Sequence, residues 1–474
     1  MAVRVKMDWL LFWTVLGLTS LGLVMVYSSS SLYAELKRKE RVEEGGRPPT
    51  AAGPADAVLV PAGNPPTKPG RAPWSRRRYA AAAVGVAALA FLAHRYATGS
   101  IPLAWLAAGA AAVCALQVLA YWMDADRTPH YSFLLRQSGA AIVGFLALMF
   151  FSQRDYRTWQ SARWAFGGLG VVIFLLGVAY RVDKYFHRWI DIGVSIQPSE
   201  FAKPALIVFL AWFVTKRSGA INHPHTILPA ALALIMLAGG VVVGDFGMTV
   251  VLVVTTAAVF YMAGLNRRYI LAALGIGSLL LAVAIVAVPY RLLRVLTYVD
   301  PKCETICQYE RGRMIWEYAE SGSRVKDGAY QTIQSTIAIG AGGVMGRGLM
   351  QSRQKLLFLP EAHTDFIFAI VAEELGLWGA TLVLAGFVII MWRGYRLYLT
   401  AGDEFGRYLA VGATTTLVFQ ALLNMSVVLD LGPTKGIPLP LISFGGGSMV
   451  STMICLGLLL SVGQRAAHSW TSAR

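Results

Sequence analysis

Residues 9–28, WLLFWTVLGLTSLGLVMVYS, run for twenty positions without a charged side chain. At about 1.5 Å per helical residue, such a run crosses about 30 Å of hydrocarbon. Residues 270–289 and 441–462 repeat the pattern. The chain has 474 residues, 56% hydrophobic and 14% charged, with a mean hydropathy of +0.55. Soluble domains carry about 25% charge, so this composition excludes a water-soluble core of this size and calls for an all-α polytopic membrane protein. The 47 glycines agree, because glycine is commoner in membrane helices than in soluble ones. No run of small residues follows the first segment as a cleavage site, so it is expected to stay as an anchor.

Working outward, twelve apolar segments fall near 8–28, 79–94, 103–123, 132–151, 161–180, 201–215, 227–243, 247–264, 269–289, 366–391, 405–429 and 440–463. Two polar stretches interrupt them. Residues 31–78 open with charges from Lys37 to Glu44 and turn Pro/Gly/Ala-rich, the composition of a flexible linker. Residues 290–365 form a long mixed loop. The division expected is a first span (1–30), a linker (31–78), an inserted hairpin (79–130), a core (131–464) and a tail (465–474).

The net charge of +16 would suggest nucleic acid in a soluble protein, but most of the excess sits in short loops between spans. There it sets topology and meets anionic headgroups. With the N-terminus cytoplasmic, inner loops carry Arg4, Lys6, Arg95, Arg154, Arg157, Lys216, Arg217, Arg267, Arg268, Arg393, Arg396 and Arg465, while the short outer loops carry only Lys435. Both long polar stretches then lie outside; the cluster Arg76–Arg78 runs against this orientation. Cys114 and Cys455 lie in apolar runs and Cys303 and Cys307 in the outer loop, with no CxxC pair to suggest zinc or redox chemistry.

Ionisable groups at membrane depth are expensive and usually face an interior cavity. Three blocks hold them or break the helical pattern. In the first, Arg188 and Trp189 lead into Gln197-Pro198-Ser199-Glu200 and Lys203. Pro198 suits a first helical turn, and Glu200 and Lys203 share a face. They either lock a helix start as an ion pair or line a headgroup site. In the second, Lys355 and His363-Thr364-Asp365 precede an apolar helix containing Glu373 and Glu374. Thr364 is expected to cap that helix, leaving Asp365 in its first turn as an ionised carboxylate, either a simple cap or a reactive group. Glu373 and Glu374 lie about 12 Å deeper and cannot both face lipid cheaply. The third block, residues 432–448, carries Pro433, Pro438, Pro440, Ser443, Gly445 and Gly446. It is either a re-entrant stretch offering free N–H groups to an anion or a glycine patch for helix packing.

Three strings, RWIDIGVSIQPSEFAKPALI (188–207), GAYQTIQSTIAIGAGGVMGRGLMQSRQKLLFLPEAHTDFIFAIVAEELGLWG (328–379) and PTKGIPLPLISFGGGS (433–448), resemble the SEDS family, the membrane peptidoglycan glycosyltransferases that include FtsW and RodA. The resemblance covers 8–30 and about 131–464. The N-terminal MDWLLFWTVLGLTSLGLVMVYSSSS and the PTKG string look more like the division branch than the elongation branch. Departures are the two extra spans near 79–94 and 103–123, Phe444 where the family usually has Tyr, Gly447-Ser448 after the glycines, and Gly244-Asp245-Phe246-Gly247 without a preceding Gln-Pro.

The resemblance implies ten family spans plus the inserted pair. It implies polymerisation of lipid II into glycan strands at the outer face of the cytoplasmic membrane, at the division septum, with release of undecaprenyl diphosphate. Asp365 matches the family's essential aspartate and is expected to act as base. Arg188, Lys203 and Lys355 are the candidate cations for the leaving diphosphate, and His363 an orienting group. Trp189, Gln197, Ser199, Glu200, Glu373, Ser443, Gly445 and Gly446 complete the substrate-binding candidates. No organic cofactor is implied; a divalent ion, Mg2+ or Mn2+, bridging Asp365 or Glu373 to the diphosphate is an open expectation. The implied partners are lipid II, membrane lipids, a class B penicillin-binding protein and other division or elongation proteins. A lipid II flippase or a non-catalytic scaffold are the rival readings.

Overall fold

The structure is a computed structural model that describes residues 7–30, 131–183, 188–191, 195–242, 244–286, 323–356, 358–433 and 435–471, with isolated positions between 292 and 298. The chain divides into two compact units, one of residues 1–30 with 136–474 and one of residues 31–135. Of the second unit only 131–135 are described, where a helix begins. The expected linker 31–78, the inserted spans 79–94 and 103–123, and Cys303 and Cys307 lie outside the described residues.

The described helices are α1 (Trp9–Ser30), α2 (Tyr131–Gln153), α3 (Ala162–Val182), α4 (Pro198–Lys216), α5 (Pro224–Val242), α6 (Phe246–Met262), α7 (Arg267–Val286), α8 (Ser323–Gly342), α9 (Ile367–Thr400), α10 (Glu404–Val428) and α11 (Gly446–Thr471). Seven of them are long and apolar enough to cross a membrane, and α6 is a shorter apolar helix. The chain is an integral membrane protein. The other regular structure described is an antiparallel pairing of Ile190–Asp191 with Ser195–Ile196 and two single 3₁₀ turns.

α10 is the hub, contacting α4, α6, α9 and α11. It is buried on nearly all sides, and its polar residues Thr414, Thr416, Gln420 and Asn424 are buried with it. α3 shows the opposite arrangement. Its buried residues Ala165, Leu169, Val172, Leu176 and Ala179 recur every three or four positions, one stripe facing the bundle, while Phe166, Val171 and Phe174 point outward. At the end of the bundle where α1 and α10 begin, charges are tied in pairs. Asp8 accepts from Arg393 Nε at 2.7 Å, and Asp403 caps α10 while accepting from Tyr156 at 2.7 Å and Arg157 at 2.8 Å.

Two departures from the sequence reading shape the opposite end. The span expected over 366–391 continues to Thr400, but Gly376 breaks it with φ 66°, ψ −160°, a left-handed conformation that glycine adopts without steric cost. The carbonyls of Glu373 and Glu374, released by the break, accept from the N–H groups of Arg347 (3.0 Å) and Gly348 (2.9 Å). The last span begins at Gly446 instead of 440, because Pro438, Pro440 and the glycines hold the preceding residues out of a helix. The long loop expected over 290–365 contains a helix, α8, whose Ser335 Oγ donates to the last turn of α10 at Val428 O, 2.7 Å.

α1 approaches this irregular stretch closely at Gly22, where a Cβ would stand 2.5 Å from Leu441 O and 2.7 Å from Ile442 Cα. Backbone atoms cannot step aside. Gly22→Ala should lower stability by about 1–3 kcal/mol, the usual cost of overpacking. Gly17→Ala on the same helix, with nothing within 4 Å of the new methyl, should be neutral or stabilising. Thermal unfolding of the two detergent-purified variants checks the contrast; equal effects would remove the close approach as the cause.

Candidate active site

Four helix N-termini meet at this end. α4 begins after Gln197, α6 after Asp245, α9 after Phe366 and α11 at Gly446. Gln197 Nε2 donates to Asp245 Oδ2 at 3.1 Å, joining the first two. Gly247 in the first turn of α6 faces Ile437 of the irregular stretch. Ser443 Oγ, just before α11, donates to Thr364 O at 2.6 Å, just before α9. Gln197 and Phe366 provide no side-chain cap, so N–H groups of the first turns and the positive ends of the helix dipoles converge on one place.

Asp365 lies in that place, but not in a helical turn. The expected cap is overturned: residues 361–366 form a turn entered through Glu361 at φ 55°, and the helix is preceded by Phe366. Thr364 is diverted from capping because its hydroxyl donates to Glu361 Oε2 at 2.7 Å, a local bond that competes with the cap. Asp365 is half-buried. Its carbonyl accepts from Asn424 Nδ2 at 2.7 Å. Its carboxylate rests on Gly436, where a Cβ would come within 2.7 Å of Oδ2. His363 follows the same seam: its carbonyl accepts from Phe444 N–H at 3.0 Å and its ring tilts against Phe444 at 5.8 Å.

Ser443 and Gly445 are held by a residue the sequence reading did not single out. Gln137 of α2, fully buried, donates to Ser443 O at 3.1 Å and accepts from Gly445 N–H at 3.0 Å. Ser443 Oγ also accepts from Leu439 N–H at 2.7 Å. Gly446 opens α11 beside Ala140. Glycine and proline signal the irregular stretch, but its anchor is a lone amide in an apolar span.

On the other flank, Arg188 reaches Asp245 Oδ2 at 3.3 Å and lies 5.8 Å from the Trp189 ring centroid. The Arg188 and Trp189 N–H groups both donate to Asp183 Oδ2, at 3.0 and 3.2 Å. Arg188 Nε is buried with no partner among the described residues. Burial pushes the Asp245 carboxyl above the usual range, opposed by Arg188 and by the N–H of Met248, which Asp245 caps. Ser199 accepts from Gln197 Nε2 at 2.9 Å. Glu200 and Lys203 form the expected ion pair, 2.6 Å apart and buried; Lys203 also donates to Gln420 at 3.0 Å.

Lys355 and Glu373 take another role from the one expected. The Lys355 side chain is 4% exposed, and its Nζ is committed to Glu374 Oε1 (2.9 Å) and Ser28 Oγ (3.2 Å). Glu373 accepts from the N–H groups of Arg353 (2.9 Å) and Gln354 (3.3 Å) and from Ser352 Oγ. Glu374 takes those of Met350 (3.1 Å) and Ser352 (3.4 Å). The two carboxylates fasten the loop before Asp365 to α9, since buried N–H groups need acceptors. A divalent ion therefore does not fit at Glu373, whose oxygens are taken. Among the described residues no three His, Cys, Asp or Glu side chains gather to hold one at Asp365.

Residues 100–468 match the family model FTSW_RODA_SPOVE, described as "Cell cycle protein". The match starts inside the segment that the three strings leave uncovered. The chain is 36% identical over 348 residues to the "Probable peptidoglycan glycosyltransferase FtsW" of Geobacter sulfurreducens, covering 71% of this chain and 86% of that one. It is 35% identical over 358 residues to "Stage V sporulation protein E" of Bacillus subtilis, covering 74% and 92%. A solved structure described as "Structural coordination of polymerization and crosslinking by a peptidoglycan synthase complex" superposes with a TM-score of 0.56 at 28% identity, over 75% of this chain and 96% of that one. Family match, relatives and helix arrangement agree: the chain belongs to the FtsW/RodA/SpoVE family of cell cycle proteins.

Proposed function

We propose that the chain is a peptidoglycan glycosyltransferase that polymerises lipid II on the outer face of the cytoplasmic membrane, at the division septum. The observation that carries this reading is the Asp365 carboxylate, half-buried at a loop–helix junction where four helix N-termini converge. The base takes the proton of the acceptor's GlcNAc 4-hydroxyl. That oxygen attacks the anomeric carbon of the lipid-linked MurNAc donor, the bond from that carbon to the diphosphate oxygen breaks, and undecaprenyl diphosphate leaves with the electron pair. The configuration inverts. Arg188, 26% exposed, and the N-terminal N–H groups oppose the charge that develops on the diphosphate. Lys203 and Lys355, buried in ion pairs, hold the scaffold in place.

The rival reading, a lipid II flippase, needs polar groups open along the path. Glu200, Lys203, Glu373 and Glu374 are each 1% exposed or less and are bonded to other protein groups. The loop charges support cytoplasmic termini, and the resemblance supports a class B penicillin-binding protein as partner. The test is the purified chain with that partner and lipid II in detergent micelles, where there is no bilayer to cross. Glycan strands on a gel support the polymerase. No strands, together with movement of labelled lipid II across proteoliposomes, would replace it with the flippase.

A further inference from the structure

Residues 435–439 make no regular structure. Pro438 and Pro440 supply no N–H, so the carbonyls here must find donors elsewhere. Both donors come from one face of α10. Gln420 Nε2 donates to Pro438 O at 2.8 Å and Asn424 Nδ2 to Ile437 O at 2.7 Å. The two side chains are four residues apart, one turn of helix. The second hydrogen of the same Asn424 nitrogen goes to Asp365 O at 2.7 Å. One buried amide thus ties the residue that carries the base to the residue after Gly436, against which the base rests.

The orientation of both amides is set by their neighbours. Asn424 faces two carbonyls, so its nitrogen must point at them; its Oδ1 is buried with no partner among the described residues. Gln420 Oε1 accepts from Lys203 Nζ at 3.0 Å, and Lys203 is held by Glu200 at 2.6 Å. The ion pair therefore fixes the Gln420 amide, and the amide fixes Pro438.

We propose that Asn424 and Gln420 are positioning residues that set the place of the Asp365 carboxylate by pinning residues 436–438 beside it. This rests on the polymerase reading. Neither residue touches the reacting atoms; both act on the step through Asp365, so their loss lowers kcat and leaves substrate affinity alone.

The experiment uses the full chain with its transpeptidase partner. Asn424→Leu, similar in size but without donors, should lower kcat by about 30- to 100-fold with KM within about threefold, the scale of a misplacement of about 1 Å. Gln420→Leu, one residue further from the base, should cost about three- to tenfold. Gly436→Ala disturbs the same spot without touching α10, because the atoms within 4 Å of its methyl all belong to the Asp365 carboxylate. It should reproduce the kcat loss, and its effect combined with Asn424→Leu should fall well short of multiplying. If Asn424→Leu does not fold, Gln420→Leu, which leaves Asn424 and Asp365 in place, carries the test through the kcat–KM split and the reactivity of Asp365.

A second readout needs no turnover. Carbodiimide modification of Asp365, followed by peptide mass spectrometry, should speed up several-fold in Asn424→Leu and Gly436→Ala. A kcat within threefold of wild type, a loss confined to KM, multiplying effects, or an unchanged modification rate would each overturn the proposal. A wild-type complex that makes no polymer would instead overturn the polymerase reading, while the modification rates still report the positioning.

Discussion

Asp365→Asn should reduce polymerisation by the purified complex at least about 100-fold, the low end of what a positioned general base contributes. Asparagine keeps the size of the side chain and leaves the backbone carbonyl available to Asn424. Folding and partner binding should therefore survive, and only the ability to take a proton is lost. The measurement is the initial rate of strand formation, with the unfolding midpoint and co-purification of the partner as controls. A variant that kept more than about a tenth of the wild-type rate, a change under about 1.4 kcal/mol, would remove Asp365 as the base.

The second large effect is on stability. Glu374→Leu should cost about 3–5 kcal/mol, because it leaves the buried Lys355 ammonium without its carboxylate. Adding Lys355→Met to Glu374→Leu should recover much of that loss, since an apolar pair of similar volume is often no worse than a buried ion pair. Recovery should be incomplete, as the N–H groups of Met350 and Ser352 still lack the acceptor that Glu374 provides. Unfolding rates of the single and double variants at one temperature compare them where unfolding is irreversible. A double variant no better than the single one would show that the charge pair is not the source.

The membrane spans and the irregular stretch before α11 were legible because each rests on local composition: apolar runs in the first case, Pro438, Pro440 and the glycines in the second. Two of the family strings are joined by a specific bond, Ser443 to Thr364, and the one holding Arg188 and Gln197 is tied by them to Asp245. What local pattern could not give is who pairs with whom. Lys355 reads as an available cation until Glu374, 19 residues on, and Ser28, 327 residues away, are folded against it. Thr364 reads as a cap until Glu361, three residues back, takes its hydroxyl. Gln137, Gln420 and Asn424 carry no charge and so raise no alarm in an apolar run. The signal was present all the same in α10, where two amides lie four positions apart in a span that is otherwise mostly apolar, the spacing of polar groups that bond across a bundle.

The central claim, that Asp365 takes the proton of the acceptor sugar's 4-hydroxyl, is tested most directly by a structure of the Asp365→Asn complex with lipid II bound. The account predicts the acceptor's 4-hydroxyl within about 2.6–3.2 Å of the side chain at position 365, or joined to it through one water, with the donor's diphosphate toward Arg188 and the helix N-termini. A sugar seated elsewhere, or a diphosphate lying against position 365 itself, would contradict it.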